Sequence, residues 1–310
     1  MEILTDIPTK RFFKESAITI GSFDGMHLGH SKLFSALESQ KKDLLKTVVV
    51  TFYPNPKSII LGNDFQGHIS SKTENIDFMK KFNIDLLCIL KFNSRLKEMS
   101  ANNFLNKVIK AFNPQLFIVG YNHYFGNNRE GDLAFLQKKA DMLSFNVKEI
   151  SEYSHPIEGK VSSSIIRKLI LNGEVAKASN ILGYNYRLQG KVAKGQGIGR
   201  KIGFPTANIS LSENLKILPK IGVYFIQSEI DGEVFYGMCN IGVRPTVSSL
   251  NEVSIEVYFF NLNFSLYNKI LNIDFIKFLR DEKQFDNLES LKKQLELDKN
   301  KCLEYSINNV

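Results

Sequence analysis

The segment AITIGSFDGMHLGHSKLF, residues 17–34, holds the first residues able to do chemistry: Gly21, Gly25 and Gly29, with His27 and His30 among them. It opens as an apolar strand and closes with helical spacing, so the glycines fall in a strand-to-helix turn. A helix N-terminus offers unpaired N–H donors and the positive end of a dipole, and glycine lets a phosphate approach with no Cβ in its path. The two histidines are three residues apart at the helix start, so both rings share one side. Imidazoles placed there can donate hydrogen bonds to phosphate oxygens whose charge grows in a transition state. The plainer alternative is a tight turn with two surface histidines. The density of GxFDGxHxGH in its strand–turn–helix context favours a nucleotide site.

A second set lies in KGQGIGRKIGFPTANI, residues 194–209, where Gly195, Gly197, Gly199 and Gly203 surround Arg200 and Lys201. It is neither a Walker loop nor a dinucleotide fingerprint, because no GK[ST] follows and Pro205 blocks a helix. Such a turn either wraps a phosphate with backbone N–H groups or is a flexible hairpin loop. Further on, Glu256 stands in the alternating run VSIEVYFF. A hydroxyl attacking phosphorus needs a positioned base. By itself, however, Glu256 reads as an outward-facing strand glutamate.

The elements that must position these residues change character along the chain. Residues 17–20, 47–52, 85–92 and 115–120 are short continuous apolar runs, as parallel strands buried on both faces produce. Between them, residues 30–42, 72–82 and 100–112 place apolar side chains at helical spacing. This pattern predicts an α/β doubly wound, Rossmann-like sheet, with ligands at the carboxyl ends of its strands. Two short helices divided at Asn172 and Gly173 follow, and the rhythm changes near Gly183. Five strand-like segments between residues 186 and 279 then predict a small antiparallel β-barrel, closed by an amphipathic helix marked by Leu288, Leu291 and Leu295. The expected domains are therefore 1–183 and 184–310.

Size and composition agree, since 310 residues exceed what one core usually serves, and 43% apolar with 23% charged residues is ordinary globular material. No segment approaches the roughly 18 apolar residues of a membrane span. Cys88, Cys239 and Cys302 are scattered without CxxC spacing, which argues against disulfides or zinc and for a reducing cytoplasm. A net charge of +8 attracts anions. The lysines alternate with acids at helical spacing, so they read as solvated helix faces. A basic nucleic-acid-binding protein remains the rival from another class, although no RNP, KH or zinc-finger pattern supports it. His68 and His155 read as surface histidines without metal partners.

The motif GSFDGMHLGH, followed in order by TFYPNP (51–56), VGYNHYFGNNREGD (119–132) and VSSSIIR (161–167), resembles the HxGH nucleotidyltransferases. In particular it is similar to the N-terminal domain of bacterial bifunctional riboflavin kinase/FAD synthetases. GFPTAN, NIGVRPTV (240–247), EVYFFNLNFSLY (256–267) and FLRDEKQFDNLESLKKQL (278–295) resemble the riboflavin kinase domain of the same family. The resemblance implies phosphorylation of riboflavin to FMN in the second domain and adenylylation of FMN to FAD, with release of pyrophosphate, in the first. It implies ATP as co-substrate, Mg²⁺ as cofactor, and a monomer or weak homo-oligomer with no membrane or nucleic-acid partner.

The same resemblance implies the roles of individual residues. His27, His30 and Arg167 would act on the triphosphate, with Gly21, Phe23, Asp24, Gly25, Gly29, Ser163 and Ser164 binding ATP. In the second domain Glu256 would take the hydroxyl proton, and Thr206 and Asn208 would hold the metal. Gly195, Gly197, Gly199, Arg200, Lys201 and Asn240 would bind ATP there. Asn55, Asn122, Phe125, Asp132, Arg280 and Phe285 would lie at the flavins. Arg280 could instead pair with Asp281 or Glu282. The chain departs from the family in having Tyr53 and Asn55 where an acid and Pro-His-Pro are common, His123 where Phe is common, and Asn261 where Asp is common. Asn55 could simply be a turn residue between prolines. A riboflavin kinase with a weakened or lost adenylyltransferase domain is the alternative that these departures raise.

Overall fold

The computed structural model describes residues 1–194, 198–211, 215–244 and 252–309. The chain divides into two compact units, Met1–Ser163 and Ser164–Val310. The helices Ser163–Leu171 and Val175–Leu182 thus group with the second unit, about twenty residues before the change of rhythm at Gly183. Their apolar stripes, Ile166 and Ile170 on one and Val175, Ala178, Ile181 and Leu182 on the other, are buried there, and Val175–Leu182 packs on two barrel strands.

The first unit is a six-stranded parallel sheet formed by β1 (Glu2–Leu4), β2 (Ser16–Ile20), β3 (Lys46–Tyr53), β4 (Leu86–Lys91), β5 (Pro114–Gly120) and β6 (Asn146–Ile150), in the order β1-β4-β3-β2-β5-β6. Alternate residues of each strand feed opposite cores. Ile18, Ile20, Val48 and Val50 join Phe104, Leu105 and Phe112 on one face, and Ala17 and Val49 join Leu33, Phe34 and Leu37 on the other. Burial on both faces is the physical cause of the continuous apolar runs. A small hairpin of β7 (Ser154–His155) and β8 (Gly159–Lys160) follows the sheet.

In the second unit β9 (Tyr186–Ala193), β10 (Ala207–Leu211), β11 (Gly222–Ile230), β12 (Glu233–Arg244), β13 (Glu252–Phe259) and β14 (Ile270–Arg280) close an antiparallel barrel in the order β10-β13-β12-β11-β14-β9. Cys239, Ile241, Ile255 and Val257 are buried in its interior. On the outer wall Phe225, Met238 and Tyr258 lie in one cross-strand row. They pack with Leu295, Cys302 and Tyr305 of the C-terminal helix Leu288–Asn309, so part of that wall is a second core.

Candidate functional site

In the first unit the chain leaves β2 for β3 on one side, and β5 returns to the other side of β2, so the switch in strand order lies between β2 and β5. Open α/β sheets bind ligands in that crevice, at the carboxyl ends. The loop after β2 is held in an unusual shape, with Phe23, Gly25 and Met26 all at positive φ, 39°, 82° and 36°. A side chain at Gly25 would bring its Cβ to 2.9 Å from Ile69 Cγ2, so space and backbone both demand glycine there. The rings and chains of Phe23 and Met26 are buried and anchor the loop.

Asp24 is buried, and its Oδ1 accepts from the amides of Ile69 and Ser70 at 3.1 and 3.2 Å. The Gly25 amide donates to Ser70 Oγ at 2.8 Å, and Ser163 Oγ donates to the Asp24 carbonyl at 2.8 Å. Asp24, expected at ATP, is thus the clasp that shapes the loop. The stretch that supplies these partners is folded beneath it, which is why His68 is buried at 6% exposure. That corrects the surface reading of His68, because sequence gives no sign that residues 68–70 pair with residues 24 and 25.

His27 is the N-cap of the helix Leu28–Glu38, and its Nδ1 accepts from the His30 amide at 3.3 Å. The neutral ring therefore carries its proton on Nε2 and can present a donor. The His27 and His30 rings stack with centroids 3.7 Å apart, and the Phe23 ring meets His30 edge-on at 5.3 Å. Burial lowers the His27 pKa to about 4. Burial, and then the charge of His27, hold His30 well below the ordinary imidazole value. His30 Nδ1 is buried without a hydrogen-bond partner among the described residues. Gly29 lets these rings pack, since a Cβ there would lie 3.2 Å from His27. The Gly21 amide continues the ladder to the Val50 carbonyl at 3.0 Å.

Other sequence-selected residues of this unit have mainly structural partners. Asn55 is buried and caps the short helix Pro56–Leu61 through Oδ1, which accepts from the Lys57 amide at 3.0 Å. Of the two readings of Asn55, the turn residue accounts for this contact. Asp132 caps Leu133–Leu143 by accepting from the Phe135 amide at 2.8 Å. Phe125 is a core residue, 6% exposed and packed against Phe104 and Phe135, so its ring is already covered. Asn122 is exposed in the turn after β5. Ser164 and Arg167 belong by packing to the second unit, where Arg167 is buried.

In the second unit the antiparallel register sets Asn208 opposite Glu256 and Glu256 opposite Asn240. Residues directly opposed share a face, so the three side chains form one row across β10, β13 and β12. The flanking residues Ile255 and Val257 are interior, which puts Glu256 on the outer wall, half-buried. Thr206 Oγ1 donates to Glu256 Oε2 at 3.3 Å, and Asn240 Nδ2 donates to Glu282 Oε1 at 3.5 Å. Glu282 is a second carboxylate here that sequence reasoning did not select.

The helix Ile198–Lys201 carries Gly199, Arg200 and Lys201. Gly199 leaves no room for a Cβ against the Phe204 carbonyl. Gly195 and Gly197 lie outside the described residues. Arg200 and Thr206 line a groove of about 380 Å³ with Val257, Phe264, Leu266 and Tyr267.

Arg280 takes a distant acid as its ion-pair partner in place of the neighbouring Asp281 or Glu282. Its Nε and Nη2 donate to Asp298 Oδ2 at 2.9 and 2.7 Å, and Asp298 is fully buried on the C-terminal helix. Asp281 pairs instead with Lys220 at 2.6 Å. Arg280 does lie over Phe285, 6.0 Å from the ring centroid, but its charge is committed to fastening the helix to the barrel.

Whether this wall suits a divalent cation can be judged from its donors. Thr206 and Asn208 supply neutral hard oxygens, and among the described residues no group of three or more His, Cys, Asp or Glu could hold a metal alone. That composition fits a cation bound by few protein groups and mainly by polyphosphate and water, as Mg²⁺ usually is.

A family model for FAD synthetase matches residues 9–165, and one for riboflavin kinase matches residues 182–306. The bifunctional riboflavin kinase/FMN adenylyltransferase of Buchnera aphidicola subsp. Schizaphis graminum is 34% identical over 293 residues, covering 93% of each chain. The Bacillus subtilis protein of the same description is 33% identical over 301 residues, covering 95% of this chain and 93% of its own. A crystal structure from Streptococcus pneumoniae, described as a macrolide-efflux protein, superposes with a TM-score of 0.86 at 30% identity, covering 96% of this chain and 97% of its own. No helix among the described residues is long and apolar enough to cross a membrane. With an imidazole-capped helix in one unit, a carboxylate row in the other, and both family models matched in succession, the chain belongs to the bifunctional riboflavin kinase/FMN adenylyltransferase family and is an enzyme with both activities.

Proposed function

We propose that the chain makes FAD in two steps, each at its own unit. At the barrel wall the terminal ribityl hydroxyl of riboflavin attacks the γ-phosphorus of ATP. The bond to the β-phosphate oxygen breaks, ADP departs, and the hydroxyl proton passes to Glu256. A half-buried carboxylate reached by Thr206 suits a base that must meet substrate and then release its proton to solvent. Thr206 and Asn208 would hold Mg²⁺, which when bound offsets the polyphosphate charge. Arg200, which lines one groove with Thr206, and the adjacent Lys201 are assigned to the phosphates.

At the sheet, a phosphate oxygen of FMN attacks the α-phosphorus of a second ATP, and pyrophosphate leaves. His27 presents an Nε2 donor from a fixed ring, and His30 is locked against it, so neither needs to reorganise as charge develops. Ser163, whose hydroxyl reaches the Asp24 carbonyl, is assigned to the departing pyrophosphate, and Asn122 and Asp132 to the nucleotide and flavin. The stacked, neutral histidine pair at the switch in strand order carries this half of the reading.

A cytoplasmic enzyme, monomeric or weakly associated and without nucleic-acid or membrane partners, accords with three buried free cysteines and dispersed surface charge. The test is to supply the purified chain with riboflavin, ATP and Mg²⁺ and separate the flavins by chromatography. FMN followed by FAD, with one pyrophosphate per FAD, is expected. Accumulation of FMN alone would leave a kinase only.

A further inference from the structure

Glu282 follows the end of β14, and its carboxylate is seated on the outer wall of the barrel. Oε1 rests over Gly242, 2.1 Å from where a Cβ would stand, and accepts from Asn240 Nδ2 at 3.5 Å. Gly242 pairs with Ser254 and Asn240 with Glu256, so Gly242 lies one step along β12 on the face that carries Glu256. Diagonal positions on such a face are about 7–8 Å apart. Glu256 and Glu282 thus flank Asn240 on one surface. A carboxylate has about four acceptor sites, and Asn240 takes one of those on Glu282, which is exposed.

Because Asn240 turns Nδ2 toward Glu282, its Oδ1 is left to accept. This stretch of wall therefore offers acceptors, two of them ionised. Phosphate oxygens also only accept, so a polyphosphate chain has no place on it. It suits a ligand that brings several hydroxyl donors and no negative charge. The hydroxyls of ATP lie beyond its three phosphates from the atom that is transferred, whereas those of the ribityl chain of riboflavin lie one to three carbons from the hydroxyl that reacts. We propose that Glu282 accepts a hydrogen bond from a second, non-reacting hydroxyl of the ribityl chain, and so selects riboflavin and holds its terminal hydroxyl at Glu256. The proposal rests on the reading of Glu256 as the base of the kinase step. It divides the two carboxylates of the wall by role: Glu256 takes the proton, and Glu282 reads the polyol.

The test uses the full chain and Glu282→Ala, a change at an exposed residue outside helix and strand. Both proteins are given ATP with riboflavin and with 2′-, 3′- and 4′-deoxyriboflavin, all of which keep the terminal hydroxyl. One analogue should lose about tenfold in kcat/KM on the native chain, mostly in KM, the size of one hydrogen bond to a charged group. On Glu282→Ala, riboflavin itself should fall by about tenfold and that same analogue should lose nothing more. The analogue that behaves so identifies the hydroxyl. Glu282→Gln, which keeps a neutral acceptor, should recover part of the loss. Undiminished use of riboflavin by Glu282→Ala, or a loss shared equally by all four flavins, would overturn the proposal, since a carboxylate that merely holds Asn240 would slow every flavin alike. A coupling to 2′-deoxy- or 3′-deoxy-ATP in place of a deoxyflavin would overturn it too. Conversion of supplied FMN to FAD reports an intact first unit. If the native chain makes no FMN, or Glu256→Gln makes it undiminished, the kinase reading of this wall fails separately, and binding of the same flavins, followed by quenching of their fluorescence, still decides the contact.

Discussion

The candidate sites of the two units are built from opposite chemistry. In the first, the candidate groups are imidazoles sunk into the top of a sheet, kept neutral by burial and fixed by capping and stacking. In the second, the candidate base is a carboxylate on the outside of a barrel, half-buried and reached by the Thr206 hydroxyl. The difference matches the proton bookkeeping of the two steps. A hydroxyl nucleophile must lose a proton, which needs an acceptor open to solvent. A phosphate nucleophile is already ionised, so its site needs only fixed donors around the transferring group. On the proposed roles, the group that must carry a proton is the more exposed one.

Three changes would break or sharpen this contrast. The largest concerns β14 of the barrel, which is fastened through Arg280 to the buried Asp298 of the C-terminal helix. Asp298→Asn leaves the partly covered Arg280 guanidinium without its counter-charge and should cost up to about 3 kcal/mol in the second unit. The loss should appear in thermal unfolding and in FMN formation, while supplied FMN is still converted. A next effect comes from acid. The His27 pKa is about 4 when folded and near 6.5 when unfolded, so between those values the unfolded chain binds the extra proton. Stability of the first unit should be constant above about pH 6.5 and fall as pH drops to 4, by about 3 kcal/mol from His27 alone. Denaturant titrations across that range check it. The smallest is Asn55→His, which should speed adenylyl transfer by up to tenfold, the difference between a charged and a neutral donor. The charged ring carries protons on both nitrogens, so the cap on the Lys57 amide is given up in that form.

Sequence reading located the two motifs and the sheet–barrel succession because each rests on a local period. Four of the parallel strands announce themselves as apolar runs since both faces are buried. β1 and β6 do not, being short edge strands with largely exposed residues. Partnerships across the chain were hidden for the same reason. Nothing near Asp24 points to residues 69 and 70, and Arg280 invited a neighbour when its partner lies eighteen residues away. One signal was available: Asp298 interrupts the stripe of Leu291, Leu295, Cys302 and Tyr305, and an acid on a buried helix face implies a cation opposite. Register also supplied what spacing could not, since Asn208, Glu256 and Asn240 become one row only when three strands align.

The independence of the two sites is tested most directly by assaying Glu256→Gln and His30→Ala side by side with riboflavin and with FMN. Glu256→Gln should lower FMN formation by at least about a hundredfold and leave conversion of supplied FMN to FAD unchanged, and His30→Ala should do the reverse. Equal loss of both steps in either variant would contradict a division of labour between carboxylate wall and imidazole crevice.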